Sequence, residues 1–319
     1  MSSSGQPRPS LAAAPRGADS PATRLRAMLH APELAFLMEA HDGLSARIAE
    51  VEGFEAIWAS GFSISTALGV RDSDEASWTQ LLAVVECMTE VASVPVVVDG
   101  DTGHGDFNTA RRFVRRAERL GAAAVCYEDK QFPKMNSFVG DSHALADADE
   151  FCGKLRACKE AQVDPGFCLI ARTEALIAGR GVADALRRAE AYRQAGADAV
   201  FVHSRKSDAG EIKAFMRAWE DRLPVVIAPT TYAPSTPTDD FRRAGISAVI
   251  WANHSMRASL AAMRHVCRAI RAKESVVDLG LELASLADVF ALMRYEELEA
   301  SEQRFSGAAL LAEVADARR

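Results

Sequence analysis

The sequence predicts a closed (β/α)8 barrel, on three observations. The chain has 319 residues, a length that one such barrel commonly reaches. Four passages repeat one pattern, an amphipathic run stopped by glycine and followed by a short apolar run: EGFEAIWAS at Gly53, RLGAAAVCYED at Gly121, RQAGADAVFVH at Gly196 and RRAGISAVIWAN at Gly245. Four more apolar runs interleave with these, giving eight strands alternating with helices. A doubly wound open sheet is the competing arrangement of the same alternation.

In chain order, the first strand is LAFLMEAHDG from Leu34 and the second follows Gly53. The third is VPVVVDGDTG from Val94, and the fourth follows Gly121. The fifth is FCLIARTE from Phe167, the sixth follows Gly196, the seventh is LPVVIAPTT from Leu223 and the eighth follows Gly245. Unbroken Val, Ile, Leu and Ala runs without strict alternation belong to parallel strands covered on both faces. The helix before Gly121 sets Ala110, Phe113, Val114, Ala117 and Leu120 on one side, with Arg111, Arg112, Arg115, Arg116 and Arg119 around the rest. That arginine run reads as a solvated face. Asp72 precedes Ser73, read here as the N-cap of a helix carrying Trp78, Leu81, Leu82 and Val85. Past Asn253, MRASLAAMRHVCRAIRAK and ELASLADVFALMRYEEL supply more helix than one closing unit needs. The surplus either caps the barrel or packs on a partner subunit.

Composition narrows the function classes. Nearly half the residues (49%) are hydrophobic and only 7% aromatic, which favours packed helices over a β-sandwich. The net charge of −7 argues against nucleic acid or an anionic membrane as main partner. Six cysteines, at 87, 126, 152, 158, 168 and 267, form no CxxC pair and read as small core residues in a reducing cytoplasm. Residues 1–24, rich in Ser, Pro, Ala and Arg, read as a disordered extension that lacks the apolar stretch of a signal peptide. A single barrel domain with a C-terminal helical extension is expected over 25–319.

Barrel chemistry gathers where strands end at their C-terminal side. Those ends carry His41 and Asp42; Ser60 and Gly61; Asp99 and Asp101; Glu128 and Asp129; Arg172 and Glu174; His203 and Ser204; Pro229 and Thr230; Asn253 and His254. Asp99, Asp101 and Glu128 would converge in one mouth, where like charges need a cation or protons. An all-oxygen set points to Mg²⁺ or Mn²⁺ over Zn²⁺, while the alternative role is capping of loop amides. The glycines of DGDTGHG at 100, 103 and 105 are expected to bring backbone close to the bound group. Arg172 suits a phosphoryl or carboxylate group, or else a salt bridge to Glu174 or to a metal-site carboxylate. Ser60 and Gly61 would close their strand with amides free to hold a carboxylate. Asp72 either caps its helix or serves the site, and His203 is either structural or catalytic.

The passages IWASGFSISTALGVRDSDEASWTQ, DGDTGHGDFNTARR, EDKQFPKMNS, ARTEALIAGRG and VIWANHSMRAS resemble the isocitrate lyase and phosphoenolpyruvate mutase superfamily, over about Leu34 to Ala262. Its members are Mg²⁺-binding (β/α)8 barrels that exchange their last helix within dimers or tetramers, which would account for the surplus helix. In the lyase branch the loop after the fourth strand resembles K-K-C-G-H and carries a reactive thiol; here Lys134-Met135-Asn136-Ser137 supplies none. Phosphonopyruvate hydrolases usually have Thr where Asn136 stands. E-D-K, five residues, then N-S is the mutase signature, intact here from Glu128 to Ser137.

The resemblance implies interconversion of phosphoenolpyruvate and 3-phosphonopyruvate. Asp99 would bind Mg²⁺ directly, with Asp101, Glu128 and Asp72 reaching it largely through water. Asp72 would also be the nucleophile or the carboxylate beside the phosphoryl group. Ser60, Gly61 and Phe62 would hold the pyruvate carboxylate, with Trp58 lining the site. Arg172, Asn136 and Ser137 would hold the migrating phosphoryl group, and Lys134 and His203 would steady a closed lid over 130–138. Phe62, Phe138 and His104 depart from the residues relatives often carry.

Overall fold

The computed structural model describes residues 20–140, 143–277, 280 and 282–306. Its eight strands are β1 (Ala35–Ala40), β2 (Ala56–Ala59), β3 (Val96–Asp99), β4 (Ala124–Glu128), β5 (Cys168–Thr173), β6 (Ala199–Val202), β7 (Val225–Ile227) and β8 (Ala248–Trp251). They pair in parallel in sequence order, and β1 pairs with β8 from Ala35↔Ala248 to Met38↔Trp251. That last ladder closes the barrel and eliminates the open-sheet alternative. Nearly every strand residue is buried, as strands covered on both faces require.

The helices are α1 (Pro21–His30), α2 (Gly43–Val51), α3 (Gly61–Ala67), α4 (Trp78–Val91), α5 (Phe107–Arg119), α6 (Ala148–Ala161), α7 (Gly181–Gln194), α8 (Gly210–Trp219), α9 (Thr238–Arg243), α10 (His254–Lys273), α11 (Leu286–Leu292) and α12 (Tyr295–Phe305). The four repeated glycines each stop a helix at positive φ, from 76° at Gly245 to 99° at Gly196. At Gly53 the motif is complete: Gly53 N–H donates to Glu50 O at 2.9 Å and Phe54 N–H to Ala49 O at 3.1 Å. An L side chain is strained at that positive φ, so glycine ends the helix and turns the chain into the next strand.

Three expectations change. The chain is already helical at Pro21: Ser20 accepts from Thr23 N–H, and Ala22, Leu25 and Leu29 bury one face, so an extension ending at residue 24 overruns α1, while residues 1–19 lie outside the described ones. The cap of α4 is Ser77, in a capping box with Gln80, and not Ser73; this leaves residues 68–77 as a loop. Two of the six cysteines, Cys87 and Cys267, are exposed; the other four are buried.

On α5, Ala110, Phe113, Val114 and Ala117 are buried beneath the expected arginine face. The chain divides after Ala258 into two compact units. The first carries the barrel. The second carries the rest of α10 with α11 and α12, where Leu286, Val289, Phe290, Met293 and Leu298 are exposed. Among the described residues no helix is long and apolar enough to cross a membrane.

Candidate active site

Strand register builds the mouth of the barrel. β4 and β5 pair Glu128 with Arg172, so the carboxylate and the guanidinium leave adjacent strands side by side; Arg172 Nη2 lies 3.2 Å from Glu128 Oε2. Asp99 closes β3, and Asp101 follows in a left-handed conformation, φ 50°, a strained position that a functional site tolerates at about 1–3 kcal/mol. His203 follows β6, and Asp72 comes from the loop between α3 and α4. A cavity of about 60 Å³ at this mouth is lined by Trp58, Ser60, Phe62, Asp72, Asp99, Glu128, Lys134, Asn136, Ser137, Phe138, Arg172 and His203, among others. The expected site residues thus come together, except that Gly61 and Asp101 stand behind the lining.

The segment 130–138 is folded over this cavity. Lys134 Nζ lies 2.6 Å from both Asp72 Oδ1 and Asp101 Oδ1. Asn136 donates its side-chain amide to Asp72 Oδ2 at 2.6 Å. Ser137 donates to Glu174 Oε2 at 2.6 Å. Three inward polar side chains therefore tie the lid to three different loops of the barrel.

Burial by itself would raise the Asp72 carboxyl, yet Lys134 and Asn136 hold it below the usual range. Burial pushes Asp99 up, against the pull of Lys134 and Arg172. It pushes Asp101 well up, with the neighbouring Asp99 adding to the shift and Lys134 opposing it. Burial works against the Arg172 cation, but Glu174 and Glu128 outweigh it and keep the guanidinium charged. His203 is lowered by burial, which favours the neutral ring. Its Nδ1 lies 2.8 Å from both Arg172 Nη2 and Glu174 Oε1. One nitrogen cannot accept from the first and donate to the second at once, so the tautomer decides which bond is made.

Several expectations are refined. The amides of Ser60 and Gly61 are engaged, by Ala40 O at 3.2 Å and Asp99 Oδ2 at 3.2 Å, because Ser60 caps α3 against the acidic strand end. The glycines of the β3 loop make room for protein atoms: a Cβ on Gly100 would meet the Tyr127 ring at 2.5 Å, and one on Gly103 would meet Ala110 at 2.8 Å. Arg172 makes the alternative salt bridge as well, its Nε lying 2.6 Å from Glu174 Oε1.

The buried oxygens suit a hard cation. Asp99 receives only amide donors, from Gly61 and from Asp101 at 3.3 Å, and Glu128 Oε1 makes no hydrogen bond. Yet the one group of three potential ligands within 4.8 Å of one another, among the described residues, is Asp74, Asp101 and His104. The Lys134 ammonium stands between Asp72 and Asp101, and Arg172 takes Glu128, so three of the four expected carboxylates form ion pairs here and Asp99 does not.

Two groups that the sequence placed at the site but gave no role of their own support it. Lys130 Nζ reaches Met135 O at 2.9 Å, Ser137 Oγ at 2.6 Å and Glu174 Oε2 at 3.2 Å. Asp129 accepts from Tyr192 Oη at 2.5 Å, Arg188 Nη1 at 3.1 Å and Glu174 N–H at 2.8 Å. Arg188 and Tyr192, four apart on α7, were the available signal, since that spacing puts both on one helix face.

With this geometry in view, the comparisons with known proteins are specific. The family model described as phosphoenolpyruvate phosphomutase matches residues 25–271. A phosphoenolpyruvate phosphomutase of Streptomyces hygroscopicus is 59% identical over 293 residues, 91% of this chain and 93% of that protein. The crystal structure of phosphoenolpyruvate phosphomutase from Streptomyces platensis subsp. rosaceus superposes with a TM-score of 0.86 at 42% identity, covering 89% of this chain and 99% of that one. A phosphonopyruvate hydrolase in complex with oxalate and Mg²⁺ superposes with a TM-score of 0.84 at 36% identity, covering 90% and 99%. Barrel topology, the intact lid signature and identity over nine-tenths of the chain agree, and the chain belongs to the phosphoenolpyruvate phosphomutase family.

Proposed function

We propose that the protein is a phosphoenolpyruvate phosphomutase, an isomerase that interconverts phosphoenolpyruvate and 3-phosphonopyruvate and so forms the P–C bond of phosphonate biosynthesis. The observation that carries this reading is the lid, whose Lys134, Asn136 and Ser137 side chains all turn inward over Arg172 and Asp72 and leave a cavity of only about 60 Å³.

In the forward direction the P–O bond breaks, the electron pair staying with the enolate oxygen, and the methylene carbon of the pyruvate enolate then forms the P–C bond. No redox partner or net proton transfer is needed. Arg172, with Ser137 Oγ 3.2 Å from its Nη2, holds the phosphoryl oxygens and spreads the charge of a loose transition state. Asn136 presents its amide beside Asp72, the carboxylate nearest the phosphoryl group. Lys134 keeps that carboxylate ionised and ties it to the lid. The Phe62 end of α3 receives the pyruvate carboxylate, with Trp58 against its plane. His203 braces Arg172 from below. Lid closure excludes water while the fragments are apart, since water would divert phosphorus to phosphate.

Asp99, Asp101, Glu128 and Asp72 would hold Mg²⁺, or Mn²⁺ in its place, and the Mg²⁺ bound in the related hydrolase supports this. When bound, the ion supplies Lewis-acid stabilisation of the enolate oxygen. Exposed apolar residues on α11 and α12 support exchange of the terminal helices within a homodimer or homotetramer.

The deciding experiment follows ³¹P NMR of 3-phosphonopyruvate incubated with the protein and Mg²⁺. Growth of the phosphoenolpyruvate resonance is expected. Inorganic phosphate as the sole product would replace this reading with a hydrolase.

A further inference from the structure

Next to the mouth, three side chains from two loops face one another. Asp74 comes from the α3–α4 loop, and Asp101 and His104 from the loop after β3. A ligand atom of each lies within 4.8 Å of the others. The side chains of Asp74 and His104 are 5% and 6% exposed. Asp74 Oδ1 and His104 Nε2 are buried without a hydrogen bond, and His104 Nδ1 lies 3.9 Å from Asp74 Oδ1, beyond hydrogen-bond reach. A buried carboxylate oxygen and a buried ring nitrogen without partners, in side chains that gather with Asp101, need a ligand or an explanation.

We infer that Asp74, Asp101 and His104 form a second divalent-cation site, sharing Asp101 with the Asp72, Asp99 and Glu128 set, that takes a first-row transition ion such as Mn²⁺ in preference to Mg²⁺. Ligand bonds of roughly 2.0–2.2 Å let two groups on one ion stand up to roughly 4.0–4.4 Å apart, so a contraction of a few tenths of an ångström closes the set. An imidazole nitrogen shifts preference toward first-row transition ions, whereas Mg²⁺ favours oxygen and retained water.

Local charge favours the same conclusion. Asp72, Asp74, Asp99, Asp101, Glu128 and Glu174 face Lys130, Lys134 and Arg172 as fixed cations, with Lys154 beside Asp74. Lys134 divides one ammonium between Asp72 and Asp101. Asp74 receives only the Lys134 backbone N–H, at 2.5 Å on Oδ2. Lys154, the remaining cation near His104, gives its ammonium to Thr102 O at 2.6 Å and Gly105 O at 3.0 Å. Six carboxylates against four cations leave this cluster formally negative before any ion binds. An ion on Asp74 would also pin the loop of Asp72 to that of Asp101 directly under the lid's docking point. The inference rests on the donor set alone and not on the reaction proposed above.

The test is Mn²⁺ binding to the full-length protein under a large excess of Mg²⁺, followed by electron paramagnetic resonance. The wild type should retain one Mn²⁺ and show nitrogen modulation in its spin-echo spectrum. His104→Phe, which keeps a ring against Phe113, should lose the modulation, and both it and Asp74→Asn should weaken this site by about 10- to 100-fold or more. Mn²⁺ fully displaced by Mg²⁺, or bound without nitrogen modulation in the wild type, would reduce Asp74 and His104 to a simple pair and overturn the inference. Modulation persisting in His104→Phe would overturn it equally. If Mn²⁺ binds as expected but ³¹P NMR finds only phosphate, it is the mutase reading that fails.

Discussion

Lys130 Nζ lies 2.6 Å from Ser137 Oγ, so the first residue of the lid and the last residue of its signature are bonded to each other. The same ammonium holds Met135 O at 2.9 Å and approaches Glu174 at 3.2 Å. The segment between them is thereby drawn into a closed loop whose inner face carries Lys134 and Asn136.

Lys130 is a positioning residue for lid closure. Lys130→Met should lower kcat/KM by roughly 10- to 100-fold, as expected from losing about 1.5–3 kcal/mol of hydrogen bonding to a charged group. A loosened lid should also admit water, so the ratio of phosphate to phosphoenolpyruvate in the ³¹P spectrum should rise. A slower enzyme with an unchanged product ratio would contradict the latch.

Arg172→Ala should cost about 3 kcal/mol or more of transition-state stabilisation, a fall of more than about 100-fold in kcat. It also strands Glu174 and Glu128 beside a missing cation, which destabilises the fold. Arg172→Lys keeps the charge without the fork. Steady-state kinetics on both variants, with thermal melts alongside, separates the two effects: near-normal turnover in Arg172→Ala would remove Arg172 from the phosphoryl site.

Glu174 sets a pH dependence of stability. Burial opposes its ionisation, but Arg172, His203 and Lys130 overcome this and hold its carboxyl well below the ordinary 4.5. The folded state therefore binds this proton less readily than the unfolded chain does. Its stabilising contribution is complete above the unfolded value and is lost as pH falls below 4.5 toward the folded value. Denaturant unfolding of wild type and Glu174→Gln between pH 7 and 3 should give a free-energy gap that narrows on acidification. A gap constant with pH would refute the assignment.

The apolar residues left exposed on α11 and α12 call for a partner. Light scattering should find a dimer or tetramer, and removal of residues 275–319 should shift the mass toward the monomer. A full-length monomer would remove the exchange of terminal helices.

Much of the fold was legible because barrel building is local and repetitive. Gly53, Gly121, Gly196 and Gly245 announce themselves as helix stops by position and chemistry, and the apolar runs between them have the length and composition of buried parallel strands. The α4 cap was misread because Ser73 and Ser77 offer the same side chain; Gln80 selects Ser77, since only that pair closes a reciprocal box.

The strand-end groups were legible for the same reason, since Asp99, Glu128 and Arg172 all sit at the ends of neighbouring strands and register pairs Glu128 with Arg172. What the sequence determined by itself was the alternation of strand and helix, the list of polar groups at the mouth and the Glu128-to-Ser137 lid motif. Only the tertiary structure decided which of those groups meet: that Lys134 bridges Asp72 and Asp101, that Lys130 and Glu174 anchor Ser137, and that Asp74 turns toward His104. Apart from Lys130–Ser137, seven positions apart, those contacts join residues 30 to 62 positions apart through loops, and loop geometry depends on how neighbouring βα units pack, which no short-range pattern encodes.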